Sequence, residues 1–235
     1  MKKSILAVLL VFTAIQYGKA QIPGGTVAVG VDLYFSNQQS TFGSGTNETE
    51  NTYMEAGVTP GIGLFIANNL EIGASVGLDY EKNSNTHPYL LAEGGTRDME
   101  TWNKSTALFV SPYVTFYKMF GKTFGMFLKA SGEVAFGRQT FKDIDYDAEW
   151  DMEGVPPLAE TKYKNSSWGV FATPGLVIFP NEHWGFMAEL GYVGFETGKS
   201  EWDLDDHQFR LSSSSLQAIL DMSLLSIGVR YFFGK

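Results

Sequence analysis

From Val27 onward the chain alternates apolar and polar residues with a period of two, the mark of strands that bury or present one apolar face. The stretch 25–36 sets Val27, Val29, Val31, Leu33 and Phe35 against Ala28, Gly30, Asp32 and Tyr34. The stretch 52–66 sets Met54, Ala56, Val58, Pro60, Ile62, Leu64 and Ile66 against Tyr53, Glu55, Gly57, Thr59, Gly61, Gly63 and Phe65. After Asn68-Asn69, a third run alternates Leu70, Ile72, Ala74, Val76, Leu78 and Tyr80 with Glu71, Gly73, Ser75, Gly77 and Asp79. The pattern returns near 105–117, 123–137, 166–179, 184–195 and 218–233, which predicts eight strands. In the seventh, Phe186, Ala188, Leu190 and Tyr192 oppose Met187, Glu189, Gly191 and Val193. In the eighth, the apolar phase of Leu225 to Phe233 runs backwards into Asp221, which predicts a bulge near Ser223 or Leu224.

Each strand exceeds the ~9–11 tilted residues that cross a hydrocarbon layer. The connections 67–69, 118–122 and 181–183 are tight, whereas 37–51, 82–104, 138–165 and 196–216 are long and polar. Short turns at one end and long loops at the other fit an all-β, eight-stranded antiparallel up-and-down transmembrane barrel, with both mature termini at the short-turn, periplasmic end. The alternative is a soluble lipocalin-like barrel with the apolar face inside. Two features weigh against it: the polar face is rich in Gly, Ser and Thr, and aromatics gather at strand ends. Phe116, Tyr117, Phe120, Phe124, Phe179 and Trp184 lie near the short turns, and Phe35, Tyr80, Phe136, Trp168 and Phe195 near the long loops, as two interfacial girdles would. The repeats 59-TPGIGLF-65, 111-SPYVTFY-117 and 173-TPGLVIF-179, with no linker between them, argue for a single domain.

Residues 1–20 read as a secretory signal peptide: Lys2 and Lys3, an apolar run from Ile5 to Ile15, then Gly18 and Ala20 before the expected cleavage. The barrel domain is then 21–235. Losing Lys2, Lys3 and Lys19 takes the formal charge of −9 down by three, to −12, which argues against nucleic acid as a partner. The chain has no cysteine, so an exported product must be held together by sheet closure and packing. A mean hydropathy of −0.08 is compatible with a transmembrane barrel, because only alternate residues face lipid.

On 60-PGIGLFIANNLEIG-73, 112-PYVTFY-117 and the closing Gly228, Tyr231 and Phe233, the chain resembles the porin-like outer-membrane β-barrel proteins, of the scale of OmpA-, OmpX- and OmpW-type barrels. The resemblance implies residence in the outer membrane of a Gram-negative cell envelope. It also implies contact with outer-membrane lipid, and delivery by periplasmic chaperones to the barrel-assembly machinery. Ser226, Gly228, Tyr231 and Phe233 sit where such barrels carry their assembly signal. Leu64, where a tyrosine is expected, and the Gly234-Lys235 tail depart from the pattern. These are scaffold motifs, and they specify architecture more than activity.

Charges on the polar face are the main candidate chemistry. Asp32, Glu55, Glu71, Asp79, Glu133 and Glu189 are expected to point inward with only Lys129 and Arg230 to neutralise them. A barrel of this size has a lumen that side chains fill, so they should meet across it. Arg230, Glu189 and Glu71 are the expected centre of a plug, and a narrow cation-favouring pore or an OmpW-like solute conduit is the functional alternative. Pro60, Pro112 and Pro174 fall on the lipid face, each removing a ladder donor. The acidic loops, with Asp143, Asp145 and Asp147 in 143-DIDYDAEWDME-153, read first as solvated surface that could meet an extracellular ligand, and only weakly as a metal site. His87, His183 and His207 fall in loops or turns without a partner set for catalysis; His207 beside Asp205 and Asp206 is the one acid-base pair worth naming. The expectation is a non-enzymatic barrel without cofactor, structural or surface-interactive, with a membrane-embedded hydrolase the remote alternative.

Overall fold

The computed structural model describes residues 21–43, 48–90, 96–144, 157–204, 207–219 and 226–234. The expected signal peptide, Asp145, Asp147, Asp205, Asp206 and the bulge expected near Ser223 or Leu224 lie outside them. The strands are β1 (Val27–Phe42), β2 (Thr49–Ala67), β3 (Leu70–Leu90), β4 (Thr96–Met119), β5 (Phe124–Ile144), β6 (Leu158–Ile178), β7 (Trp184–Glu189), β8 (Tyr192–Leu204), β9 (His207–Ile219) and β10 (Ser226–Phe233). All neighbours are antiparallel, β5 pairs β6, and β10 pairs both β1 and β7, so the sheet closes on itself. β7 and β8 both pair with β6 and form one stave, and β9 and β10 follow the next, giving a ring of eight.

The apolar face points outward. Val29, Leu33, Ile62, Leu64, Ile72, Val76, Leu108, Val114, Leu128, Val134, Val170 and Ile227 are all exposed, a continuous apolar belt that a water-soluble barrel would have to hide. This excludes the lipocalin-like arrangement. Phe116, Phe120, Phe124 and Trp184 border the belt at the short-turn end, and Phe35, Phe136, Trp168 and Phe195 border it at the other. Tyr117 and Phe179 depart from the expected lower girdle. Both are buried inside the barrel, because they share strand phase with the inward Thr115 and Val177.

Two further differences from the sequence reading have local causes. Much of what reads as long loop is strand: β3 runs to Leu90 and β4 starts at Thr96, in register throughout. Once both faces are wet, alternation in polarity disappears while the ladder continues, so stretches such as 82-KNSNTHPYL-90 look like loop. At 24 residues, β4 is more than twice what a bilayer needs, and the walls stand well clear of the apolar belt. The second difference lies in the seventh stave. Gly175 pairs Glu189 but Ala172 pairs Val193, which leaves one extra residue at Leu190-Gly191, with Gly191 at φ 99° and Leu190 N–H donating to Pro174 O at 3.0 Å. That bulge inverts the phase beyond it. Val193 therefore faces outward, and Tyr192 turns inward to donate its hydroxyl to Gln217 at 2.8 Å.

Pro60, Pro112 and Pro174 lie on the outward phase, and each marks a break in the ladder to the next strand. At Pro60 and Pro112 the register resumes unshifted. The turn at Asn68-Asn69 carries Asn69 in the left-handed region at φ 63°, where asparagine is tolerated.

Candidate functional site

The lumen has a floor, a charged layer and an acidic upper section. The chain entering β1 crosses the base: Asn69 N–H donates to Ile22 O at 2.9 Å, and Ile22 N–H to Asn69 Oδ1 at 2.8 Å. Ile22 thereby seals against Phe65, Tyr117, Phe127, Phe179, Met187 and Phe232, all at most 4 % exposed. Their rings interlock, with centroids 5.4 Å apart for Phe65 and Tyr117 and 5.1 Å for Phe179 and Phe232. β1, β2, β4, β5, β6, β7 and β10 supply this floor, because inward positions near the short turns are aromatic where they are polar higher up.

Directly above it, Glu71 of β3 is fully buried and Arg230 of β10 nearly so, with side chains 0 % and 6 % exposed. Arg230 Nη1 donates to both Glu71 oxygens, at 3.0 and 3.1 Å. The Tyr113 and Tyr117 hydroxyls donate to the same two oxygens at 2.7 and 2.6 Å. Each carboxylate oxygen thus receives two donors, which is what a buried charge requires. Nη2 of Arg230 lies 3.8 Å from Asp32 Oδ2, and the guanidinium sits 5.5 Å from the Tyr113 ring centroid. Room for the cluster comes from inward glycines: a Cβ on Gly63 would stand 1.8 Å from Glu71 Oε1, and one on Gly228 would stand 1.9 Å from Asp32 Oδ1.

Arg230 and Glu71 come together as the sequence places them, but Glu189 does not join them. It pairs with Lys129 of β5, two strands away beyond β6. Two ion pairs therefore stand side by side instead of one three-residue cluster, because the β5 cation reaches Glu189 while Glu71 and Asp32 occupy the guanidinium. A cavity of about 10 Å³ between Arg230, Lys129, Asp32, Tyr113, Ser75 and Ser111 is at the ~10–15 Å³ that one water needs. Glu55, Asp79 and Glu133 lie higher, joined by Glu81 and Glu196, which the sequence reading did not single out. Tyr53 donates to Glu55 at 3.0 Å.

Tyr113 and Tyr117 are the important residues that sequence reasoning missed. Their phase, alternating with Val114 and Phe116, was the available signal, but an aromatic near a strand end reads as girdle. Among the described residues there is no group of three or more His, Cys, Asp or Glu side chains able to hold a metal. Asp143 is exposed and accepts from Ile144 N–H at 2.8 Å. His87 lies far along β3 and His183 at a short turn, where Nδ1 is 3.2 Å from Phe232 O; they stand at opposite ends of the barrel. His207 opens β9.

At the closing strand, Tyr231 stacks on His183 at 5.5 Å and meets Trp184 and Phe233 edge-on at 5.1 and 4.7 Å. Ser226 Oγ is 3.5 Å from Leu33 O across the β1 seam.

An apolar belt outside, a filled polar lumen inside and antiparallel closure define an outer-membrane type of β-barrel. No protein-family model and no curated protein sequence matches the chain. Solved structures of similar fold include the N-terminal β-barrel domain of Pseudomonas aeruginosa OprF, at 12 % identity and TM-score 0.27 over 90 % of this chain and 100 % of that one. Neisserial surface protein A aligns at 12 % identity and TM-score 0.31 over 88 % and 97 %. The β domain of the Bordetella autotransporter Brka aligns at 8 % identity and TM-score 0.21 over 91 % and 100 %. At these values the function has to be read from the barrel's own geometry.

Proposed function

We propose that this chain is a closed, non-enzymatic barrel of the outer membrane that presents tall polar walls and acidic loops at the cell surface. The observation that carries the reading is the sealed base: a buried aromatic floor topped by an ion pair in which every carboxylate oxygen is satisfied. Arg230, Glu71, Asp32, Tyr113 and Tyr117 act as a plug, with Lys129 and Glu189 bracing its side. The upper lumen, with Glu55, Asp79 and Glu133, forms an acidic cup above the plug. Ser226, Gly228, Tyr231 and Phe233 serve as the address for the assembly machinery, and both mature termini lie in the periplasm. The signal peptide is removed, no cofactor is used, and an extracellular ligand, if engaged, meets the walls and loops.

The acid-rich upper lumen supports one second reading, a cation conduit, which needs the floor and the Arg230 layer to move aside together. Potassium flux into vesicles carrying the purified barrel tests the choice. A closed barrel gives the leak of empty vesicles, whereas flux rising with protein content would sink the proposal.

A further inference from the structure

Above the upper girdle, the outer wall carries a crescent of cations. Lys82 on β3, Lys104 on β4, Arg138 on β5, Lys164 on β6 and Lys199 on β8 all continue the outward phase of their strands. Lys82 and Arg138 follow the girdle residues Tyr80 and Phe136 by two positions; Lys164 and Lys199 stand four from Trp168 and Phe195. Register sets Lys82 opposite Lys104 and Arg138 opposite Lys164. Like charges facing each other across a ladder cost stability, so a chain with this net acidity has gathered them on one side against its own folding interest. At the same level β1 and β2 present Asn37, Gln39, Thr52 and Met54 outward, so the crescent spans one side of the barrel.

Of the five, only Lys82 has a carboxylate partner in ion-pairing reach among the described residues. Glu100 is 3.5 Å from Lys82, and Glu201, opposite Lys164, is held by Arg210 at 2.9 Å. Among the described residues, Arg138, Lys164 and Lys199 have no carboxylate in ion-pairing reach, and all three are exposed. Lys104 rests over the Trp102 ring at 4.0 Å. Glu55, Glu81 and Glu196 lie on the lumen phase of the same wall, away from the crescent.

We propose that the crescent binds the phosphate groups of phosphorylated glycolipid in the outer leaflet. The inference rests on the membrane reading above: an aromatic girdle marks the interface, and headgroup phosphates lie directly over it. Spaced cations along adjoining strands match several phosphates of a lipid layer better than one small anion.

The test uses the purified full-length barrel in detergent with lipopolysaccharide, its dephosphorylated form and phosphatidylcholine, scored by native mass spectrometry. Phosphorylated lipid should be retained preferentially, and the combined variant R138Q/K164Q/K199Q should lose about 100-fold in affinity, from the effect of roughly one cation each near an anionic surface. The variant R138K/K164R/K199R should keep the binding, which separates charge from misfolding. Equal retention of the dephosphorylated lipid, or unaltered binding by the glutamine variant, would overturn the inference. So would displacement by equimolar inorganic phosphate, which would assign the site to a free anion. Insertion of the wild-type chain into phosphatidylcholine vesicles is scored separately: failure there overturns the membrane reading, while insertion without lipid discrimination overturns this inference alone.

Discussion

At the scale of single residues, the Glu71–Arg230 pair dominates, because a charge stripped of its partner in a buried site costs far more than the pair itself contributes. Glu71→Ala leaves the guanidinium with Asp32 at 3.8 Å and the Tyr117 hydroxyl at 3.3 Å, and should destabilise the barrel by about 3–5 kcal/mol in urea unfolding from vesicles. Replacing both partners with apolar residues, as in E71L/R230M, should recover most of that loss, since apolar packing commonly matches a buried ion pair. A double variant no more stable than Glu71→Ala would remove the pair from its central place. Gly63→Ala probes the same cluster through space alone: a Cβ 1.8 Å from Glu71 Oε1 must push the carboxylate off its donors, and a loss of about 1–3 kcal/mol is expected. The charges of this layer were legible from strand phase. Which acid would take which cation was not, because pairing across a lumen depends on side-chain reach and height, and neither appears in the order of residues along one strand. Tyr113 and Tyr117 escaped for a related reason: tyrosine suits both a lipid interface and a buried carboxylate.

At the scale of elements, the bulge at Leu190-Gly191 decides which residues of the seventh stave meet lipid. The chain lacks cysteine, so single-cysteine labelling has no background. Val193→Cys should be quenched by a lipid-phase nitroxide and Tyr192→Cys should not; the reverse result would restore an unbroken phase through the stave. Gly191→Ala should cost about 1–2 kcal/mol for placing a side chain at φ 99°, read from the same unfolding measurement. Strands over the apolar belt were readable because one face had to be apolar and the other did not. The upper halves of β2 to β6 were not, since a ladder between two wet faces leaves no contrast in hydrophobicity to read. The one-residue bulge was equally hidden, because Tyr192 and Val193 are each plausible on either face.

At the scale of the whole molecule, the apolar belt, the segment around Ile22 and the Glu71–Arg230 layer support the proposed reading of a barrel that spans a membrane without opening it. Both the ring of eight and its outward apolar face followed from period-two alternation, whereas the closure at Ile22 did not, as it involves a segment ahead of the first strand. Single-channel recording of the purified full-length chain in a planar bilayer tests closure most directly. The sealed floor gives no resolvable current for the wild type in concentrated potassium chloride, with brief openings only after E71Q/R230Q. Stable, cation-selective steps from the wild-type protein would contradict it.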